Sequence, residues 1–375
     1  MHIPFCAQKC YYCDFHSIVV GDQASFQRVT NNYLVSARRE ALIYRSQLGN
    51  QTLNSLFVGG GTPSLLPASN LADLVAFLLK ELPFRSVPEV TIEANPHSLT
   101  APGVVSLREA GVNRVSLGAQ AFQDSLLRSL GRVHQAQEIT TSVHLLKSGG
   151  ISNISLDLMY GLPGQTTEQW LETLERAVDL GPQHLSCYSL ILEEGTPFAF
   201  WKARGLLDLP SEDLQAEMYE SARMFLRKAG YEHYEISNFA KPGYQCRHNL
   251  LYWKNRPFLG LGSGATGYLE GKRYTNVADV RQYIEILTNG ELPIAHVDQV
   301  TPKQEMEETM MVGMRLLGGV EEREFVERFG RSLFQVYGEE IKDLIMRGLV
   351  EYVDGFLRVT ERGLYLENQV SAAFL

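Results

Sequence analysis

Apolar positions along this chain switch repeatedly between a helical period and a two-residue period from residue 22 to about 236. The stretch Asp22 to Asn50 predicts a long helix. Shorter helices are predicted at Ala68 to Leu82, Ala101 to Ala110, Asp124 to Leu130, Ala136 to Ser148, Thr167 to Leu180 and Glu212 to Ala229. Between them, short apolar runs predict strands at Leu53 to Val58, Glu89 to Glu93, Asn113 to Leu117, Ile151 to Leu158, His184 to Leu192 and Tyr231 to Ile236. Gly111 is placed to cap the helix that ends at Ala110.

Strands alternating with helices imply parallel strands joined by right-handed crossovers. Polar and glycine-rich motifs fall just past the strand ends: Gly59-Gly60-Gly61-Thr62-Pro63, Glu93-Ala94-Asn95-Pro96, Gly118-Ala119-Gln120 and Gly161-Leu162-Pro163-Gly164. In βα barrels the working residues sit at those ends. An α/β fold, a partial (β/α)6 barrel, accounts for this pattern. No G-x-G-x-x-G follows the first strand, so a dinucleotide-binding sheet is not indicated.

Residues 289–300 read as a linker. Beyond it come helices near 302–317, 322–329 and 332–347. A hairpin from Leu349 to Val353 and Phe356 to Val359 turns at Asp354-Gly355. Three helices and a small β-wing make a winged-helix-like α+β domain. Such modules often bind DNA, but residues 301–375 hold nine Lys or Arg against fourteen Asp or Glu. That balance opposes phosphate binding and favours a lid or packing module. The domain reading is therefore 1–240 for the barrel, 241–300 for a closing segment and linker, and 301–375 for the winged-helix-like domain.

The whole chain is acidic, with 34 basic and 43 acidic residues among 375, which argues against a nucleic-acid partner. No apolar run approaches a membrane span, and no basic stretch followed by an apolar one opens the chain. Only five cysteines occur, which fits a reducing cytoplasm.

Three of those five lie within one octapeptide: Cys6, Cys10 and Cys13. Three thiolates on one loop cannot all pair as disulfides, but they suit one soft metal centre. A cubane iron–sulfur cluster held by three thiolates leaves one iron open for chemistry. A Cys3His zinc site with His16 is the alternative.

The Gly59–Gly61 run is either a tight turn or a close approach to a ligand. Glu93, Gln120, Arg132 and Asp157 stand at or just beyond successive strand ends. An Arg clamps a carboxylate, and an acidic residue accepts from ribose hydroxyls, so the set suits an amino acid joined to a nucleoside. Taken singly, each reads as a salt bridge or cap. Cys246 and His248-Asn249-Leu250-Leu251-Tyr252-Trp253 bring together imidazole, phenol, thiol and indole, all suited to heme. The alternative is an aromatic loop that closes the barrel, with His248 hydrogen-bonded structurally.

The cysteine loop, GGGTPS, EANP, SLGAQAF, LDLMYGLPGQT, YEISNFAKPG and HNLLYW together resemble the oxygen-independent coproporphyrinogen III oxidase-like branch of radical S-adenosylmethionine (SAM) proteins. The resemblance spans nearly the whole chain and points to the heme chaperones of that branch rather than to the dehydrogenase. It implies a [4Fe-4S] cluster on Cys6, Cys10 and Cys13, with SAM on the fourth iron. It implies Tyr12, Gly60, Gly61, Thr62, Glu93, Gln120, Arg132 and Asp157 around SAM. The dehydrogenase carries a further cysteine where this chain has Phe15, and the branch's first barrel strand is missing ahead of His2.

The expectation is a cytoplasmic chaperone that binds heme, cluster and SAM and passes heme to an acceptor protein, membrane-bound acceptors included. His248 is the expected iron contact at the barrel mouth, Cys246 the alternative ligand, and Tyr252 and Trp253 the aromatic cover. Rival readings are oxidative decarboxylation of coproporphyrinogen III and a zinc-stapled binding module.

Overall fold

The computed structural model describes residues 1–19 and 21–375. Two short strands, β1 (His2–Ile3) and β2 (Phe5–Cys6), lead into the cysteine loop, and β3 (Ile18–Val19) leaves it. Five further strands and their helices follow: α1 (Gln23–Gln47), β4 (Leu53–Gly60), α2 (Ala68–Glu81), β5 (Phe84–Ala94), α3 (Ala101–Glu109), β6 (Arg114–Gln120), α4 (Asp124–Ser129), α5 (Ala136–Ser148), β7 (Asn153–Tyr160), α6 (Thr167–Asp179) and β8 (His184–Ser189). Then come α7 (Pro197–Ala203), α8 (Glu212–Lys228), β9 (Glu232–Glu235) and β10 (Asn238–Ala240).

One sheet runs in the order β1-β4-β5-β6-β7-β8-β10-β9. The strands β1 and β4 to β8 are parallel. The short strand β1 stands at one edge of this sheet, His2 and Ile3 pairing with Gly59 and Gly60. The last predicted strand is corrected. Only Ile236 and Ser237 separate β9 from β10, too few for a crossover, so the two form a hairpin and β10 runs antiparallel to β8.

Period-two patterning decides which face does what. On β6, Val115, Leu117 and Ala119 are buried in the main apolar core, while Arg114, Ser116, Gly118 and Gln120 line a cavity on the other face. On β7, Ile154, Leu156 and Leu158 join the same core and Asp157 faces the cavity. The sheet therefore curls its polar face inward and its apolar face toward the helices.

The next segment holds α9 (Arg247–Trp253), β11 (Thr266–Leu269), β12 (Lys272–Asn276), α10 (Val280–Thr288) and β13 (Ile294–Gln299). The expected linker 289–300 is corrected, since β13 pairs with β12 as an edge strand of a three-stranded sheet. Its side chains are mostly exposed, so its polar composition reads as a connection. Buried Glu40 on α1 ties this sheet to the barrel. Its carboxylate accepts from the Gly262 amide at 2.8 Å and from Asn276 and Tyr283 at 2.6 Å each.

The C-terminal unit has its own apolar core, with Met310, Phe325, Leu333, Ile341 and Leu357 among its members. It comprises α11 (Pro302–Gly313), β14 (Val320–Glu321), α12 (Glu322–Phe329), α13 (Leu333–Met346), β15 (Val350–Val353), β16 (Phe356–Val359), α14 (Glu361–Leu364) and α15 (Glu367–Ala372). Asp354 and Gly355, with φ of 51° and 84°, form the tight turn the sequence predicts. Several of its glutamates face barrel-side cations. Glu324 pairs with Arg256 and Lys254, Glu308 with Arg273, and Glu361 with Arg223. The acidity of this unit thus serves packing against the barrel. Among the described residues no helix is long and apolar enough to cross a membrane.

Candidate functional site

The cysteine loop is pinched at its base by parallel pairing of Phe5 with Ile18 and of Cys6 with Val19. Phe5 is fully buried and meets Tyr33 edge-on at 5.3 Å, which seats the loop on α1. Farther along, the Tyr11 amide donates to the Leu130 carbonyl at 3.1 Å and the Tyr11 carbonyl accepts from Phe198 at 3.0 Å. The loop is therefore fixed from both sides. Cys6, Cys10 and Cys13 are free and half-buried, whereas Cys187 and Cys246 are free and buried.

All three loop cysteines line one cavity of about 510 Å³. Tyr12, Gly60, Gly61, Thr62, Glu93, Gln120, Arg132 and Asp157 line it as well. Tyr12 comes from the loop, Arg132 from the turn between α4 and α5, and the others from the C-terminal parts of parallel strands or just past them, where barrel folds gather their working residues.

Gly60 has φ of +115°, and a Cβ there would lie 2.5 Å from the His2 ring. A Cβ on Gly61 would lie 2.7 Å from the Phe5 carbonyl oxygen. These glycines let the end of β4 press against the cysteine loop. Thr62 Oγ1 accepts from Asn95 at 3.1 Å and lies 3.6 Å from Cys6 Sγ.

Arg132 donates to Asn95 Oδ1 at 2.5 Å, to the Gly118 carbonyl at 2.8 Å and to Cys10 Sγ at 3.6 Å. Its guanidinium is held at a fixed orientation beside the thiol. Asp157 accepts from Ser116 at 3.0 Å, Ser186 at 2.9 Å and Ser155 at 3.3 Å. Removal from water pushes its carboxyl up, and those serines partly offset the effect. Glu93 takes one such bond, from the Gly60 amide at 2.9 Å, and desolvation pushes it to about 7. Gln120 adopts φ of 65°, a conformation rare outside glycine, where the β6–β7 register shifts. Strained backbone of this kind gathers at functional sites.

The donor set suits a thiolate-bound cluster. The three thiols share one cavity with a cation beside Cys10, and the remaining wall supplies carboxylates and backbone groups. The Cys3His zinc alternative lacks its fourth ligand, because His16 is stacked on His2 at 5.8 Å and is not among the residues that line the cavity.

His248 is not brought to this cavity, which corrects its expected position at the barrel mouth. HNLLYW is not a loop but the helix α9, packed against β4 and α11. His248 Nδ1 shares a hydrogen bond with Ser55 at 2.8 Å, and its ring stacks on Phe57 at 5.0 Å. Burial lowers its pKa to about 3. Cys246 is fully buried, with its thiol 3.5 Å from Glu89.

Glu89, which motif reading missed, holds this helix. Its carboxylate accepts from the amides of Arg247 at 3.0 Å and His248 at 2.9 Å, a negative charge on a helix N-terminus. Strand alternation could have flagged it, because Glu89, Thr91 and Glu93 share one face of β5. The same alternation marks Ser116 and Ser186.

Asn249, Tyr252 and Trp253 line a second cavity of about 1190 Å³ between the barrel and the C-terminal unit. Asn249, Tyr188, Ser189 and Ile191 border both cavities, so the two adjoin.

Comparison with known proteins adds sequence and fold relatives. Residues 1–177 match the radical SAM superfamily model, and residues 300–366 match the HemN C-terminal domain. The chain is 39% identical to the heme chaperone HemW of Bacillus subtilis, covering 100% of this chain and 98% of that protein. It is 33% identical to the heme chaperone HemW of Escherichia coli, covering 100% and 97%. Among solved structures, coproporphyrinogen III oxidase (HemN) of Escherichia coli, a radical SAM enzyme, superimposes with a TM-score of 0.85. At 22% identity, that match covers 100% of this chain and 88% of the other.

Proposed function

The chain belongs to the heme chaperone HemW family, and from that premise we propose how its residues carry out heme binding and delivery. The protein is a heme chaperone that binds a [4Fe-4S] cluster and SAM and hands heme to an acceptor protein. Cys6, Cys10 and Cys13 hold the cluster in this reading. When bound, the cluster supplies redox-active iron with one coordination position that the thiolates leave free.

Arg132, already fixed by Asn95 and Gly118, presents a cation for the carboxylate end of SAM. Asp157 and Glu93 are the acceptors for its hydroxyl and ammonium groups. Tyr12, Gly60, Gly61, Thr62 and Gln120 complete the wall and exclude water. The observation that carries this reading is the convergence of three half-buried free thiols and these side chains on one cavity. The acceptor is met from the cytoplasm, membrane-bound acceptors included, since a chain with five cysteines, three of them gathered on one loop, suits a reducing compartment.

Anaerobic reconstitution with iron and sulfide tests the cluster. Wild type is expected to hold about four irons and four sulfides, as a cubane requires. A Cys6→Ser/Cys10→Ser variant is expected to hold none, while Cys187→Ser and Cys246→Ser keep the wild-type content. Full iron content in the double variant contradicts the assignment.

A further inference from the structure

The cleft between the barrel and the C-terminal unit is the larger of the two adjoining cavities, about 1190 Å³ against about 510 Å³. Tyr252 and Trp253 give it an aromatic wall, suited to a flat macrocycle. Arg256 and Arg273 give it cations on the barrel side. Neither arginine is free. Arg256 pairs with Glu324 on α12, and Arg273 pairs with Glu308 on α11 at 2.6 Å.

Both pairs are partly open to solvent. The side chains are 37% and 33% exposed in the first and 33% and 27% in the second. A carboxylate arriving from the cleft can reach either guanidinium. It offers the same planar two-oxygen acceptor that the glutamate already supplies.

Taking as given that the cargo is heme, we propose that heme lies in this cleft and that its two carboxylate arms take Arg256 and Arg273 from Glu324 and Glu308. Each new ion pair forms beside the buried macrocycle, away from water, and so outweighs the partly exposed pair that it replaces. Burial of the macrocycle against Tyr252 and Trp253 adds to that gain. The C-terminal unit meanwhile loses two of its ties to the barrel. Loading the cleft therefore loosens the unit that covers it, and unloading restores the ties. Charge on the C-terminal unit thus acts as an internal competitor for the cargo's carboxylates.

The exchange predicts effects of opposite sign at the two halves of each pair. Hemin titrations followed in the Soret band compare wild type, Arg273→Gln and Glu308→Gln/Glu324→Gln, each checked for unchanged cluster content. Arg273→Gln is expected to bind hemin roughly tenfold more weakly, since a charge-assisted bond is lost. The double glutamate variant is expected to bind roughly three- to tenfold more tightly with the same saturation stoichiometry as wild type, which adsorption to misfolded chain does not give. Hemin dimethyl ester should bind wild type weakly and show no difference between wild type and Arg273→Gln. Saturable binding by wild type with unchanged affinity in both variants, or weaker binding by the glutamate variant, overturns the cleft assignment and leaves the chaperone reading intact. Absence of saturable hemin binding by wild type overturns the chaperone reading and this proposal with it.

Discussion

Arg132 is the residue on which the proposed SAM region most depends, because it ties Asn95, the end of β6 and Cys10 together. Arg132→Ala is expected to weaken SAM binding by about 1.5–3 kcal/mol, the range for hydrogen bonds to charged groups, as read by isothermal titration. His248 is the contrasting case. With its ring stacked on Phe57 and bonded to Ser55, His248→Ala should lower stability by about 2 kcal/mol yet leave the hemin Soret band where it was. A shifted Soret band would return His248 to the iron. Cys6, Cys10, Cys13, Arg132 and Asp157 were singled out in the sequence by cysteine spacing and by position beyond predicted strands, and the fold brings them to one cavity. Spacing was not enough for Asn95 or Glu89, whose roles come from partners far away in sequence: Arg132 for one, and the start of α9 for the other.

At the scale of elements, the sequence showed where helices and parallel strands lie but not how the chain leaves the barrel. The strand patterns of β9, β10 and β13 do not carry their direction or their partners. Those follow from a two-residue connection and from an open edge on β12. The helix α9 was hidden because its aromatic residues serve two faces, His248 toward β4 and Tyr252 and Trp253 toward the cleft.

Glu40 gives this level a test. Burial pushes its carboxyl up to about 7 from an ordinary 4.5, so the folded state favours the proton. Stability from this group is full below about pH 4.5 and is lost as pH rises through about 7, an effect on the order of 3 kcal/mol. The melting temperature of wild type relative to Glu40→Gln should therefore fall between pH 5 and pH 8. A difference that stays flat or rises over that window rejects an ionisable, buried Glu40 as the tie between α1 and the β11–β13 sheet.

For the molecule as a whole, the acidity of the C-terminal unit was legible in the sequence, and the structure spends part of it on pairing with barrel-side arginines. The fold is shared with coproporphyrinogen III oxidase, but where the family resemblance implies a further loop cysteine in the dehydrogenase this chain has Phe15, an exposed side chain on the wall of the cysteine-lined cavity. Reconstituted protein given coproporphyrinogen III and SAM without oxygen is expected to form no protoporphyrinogen above the control. Heme chaperoning stands or falls on anaerobic hemin titration of the reconstituted protein. Saturation near one heme per chain is expected, with a defined Soret band, and loss of that heme to an acceptor protein on mixing. Hemin uptake that never saturates, or a bound heme that no acceptor can withdraw, would contradict it.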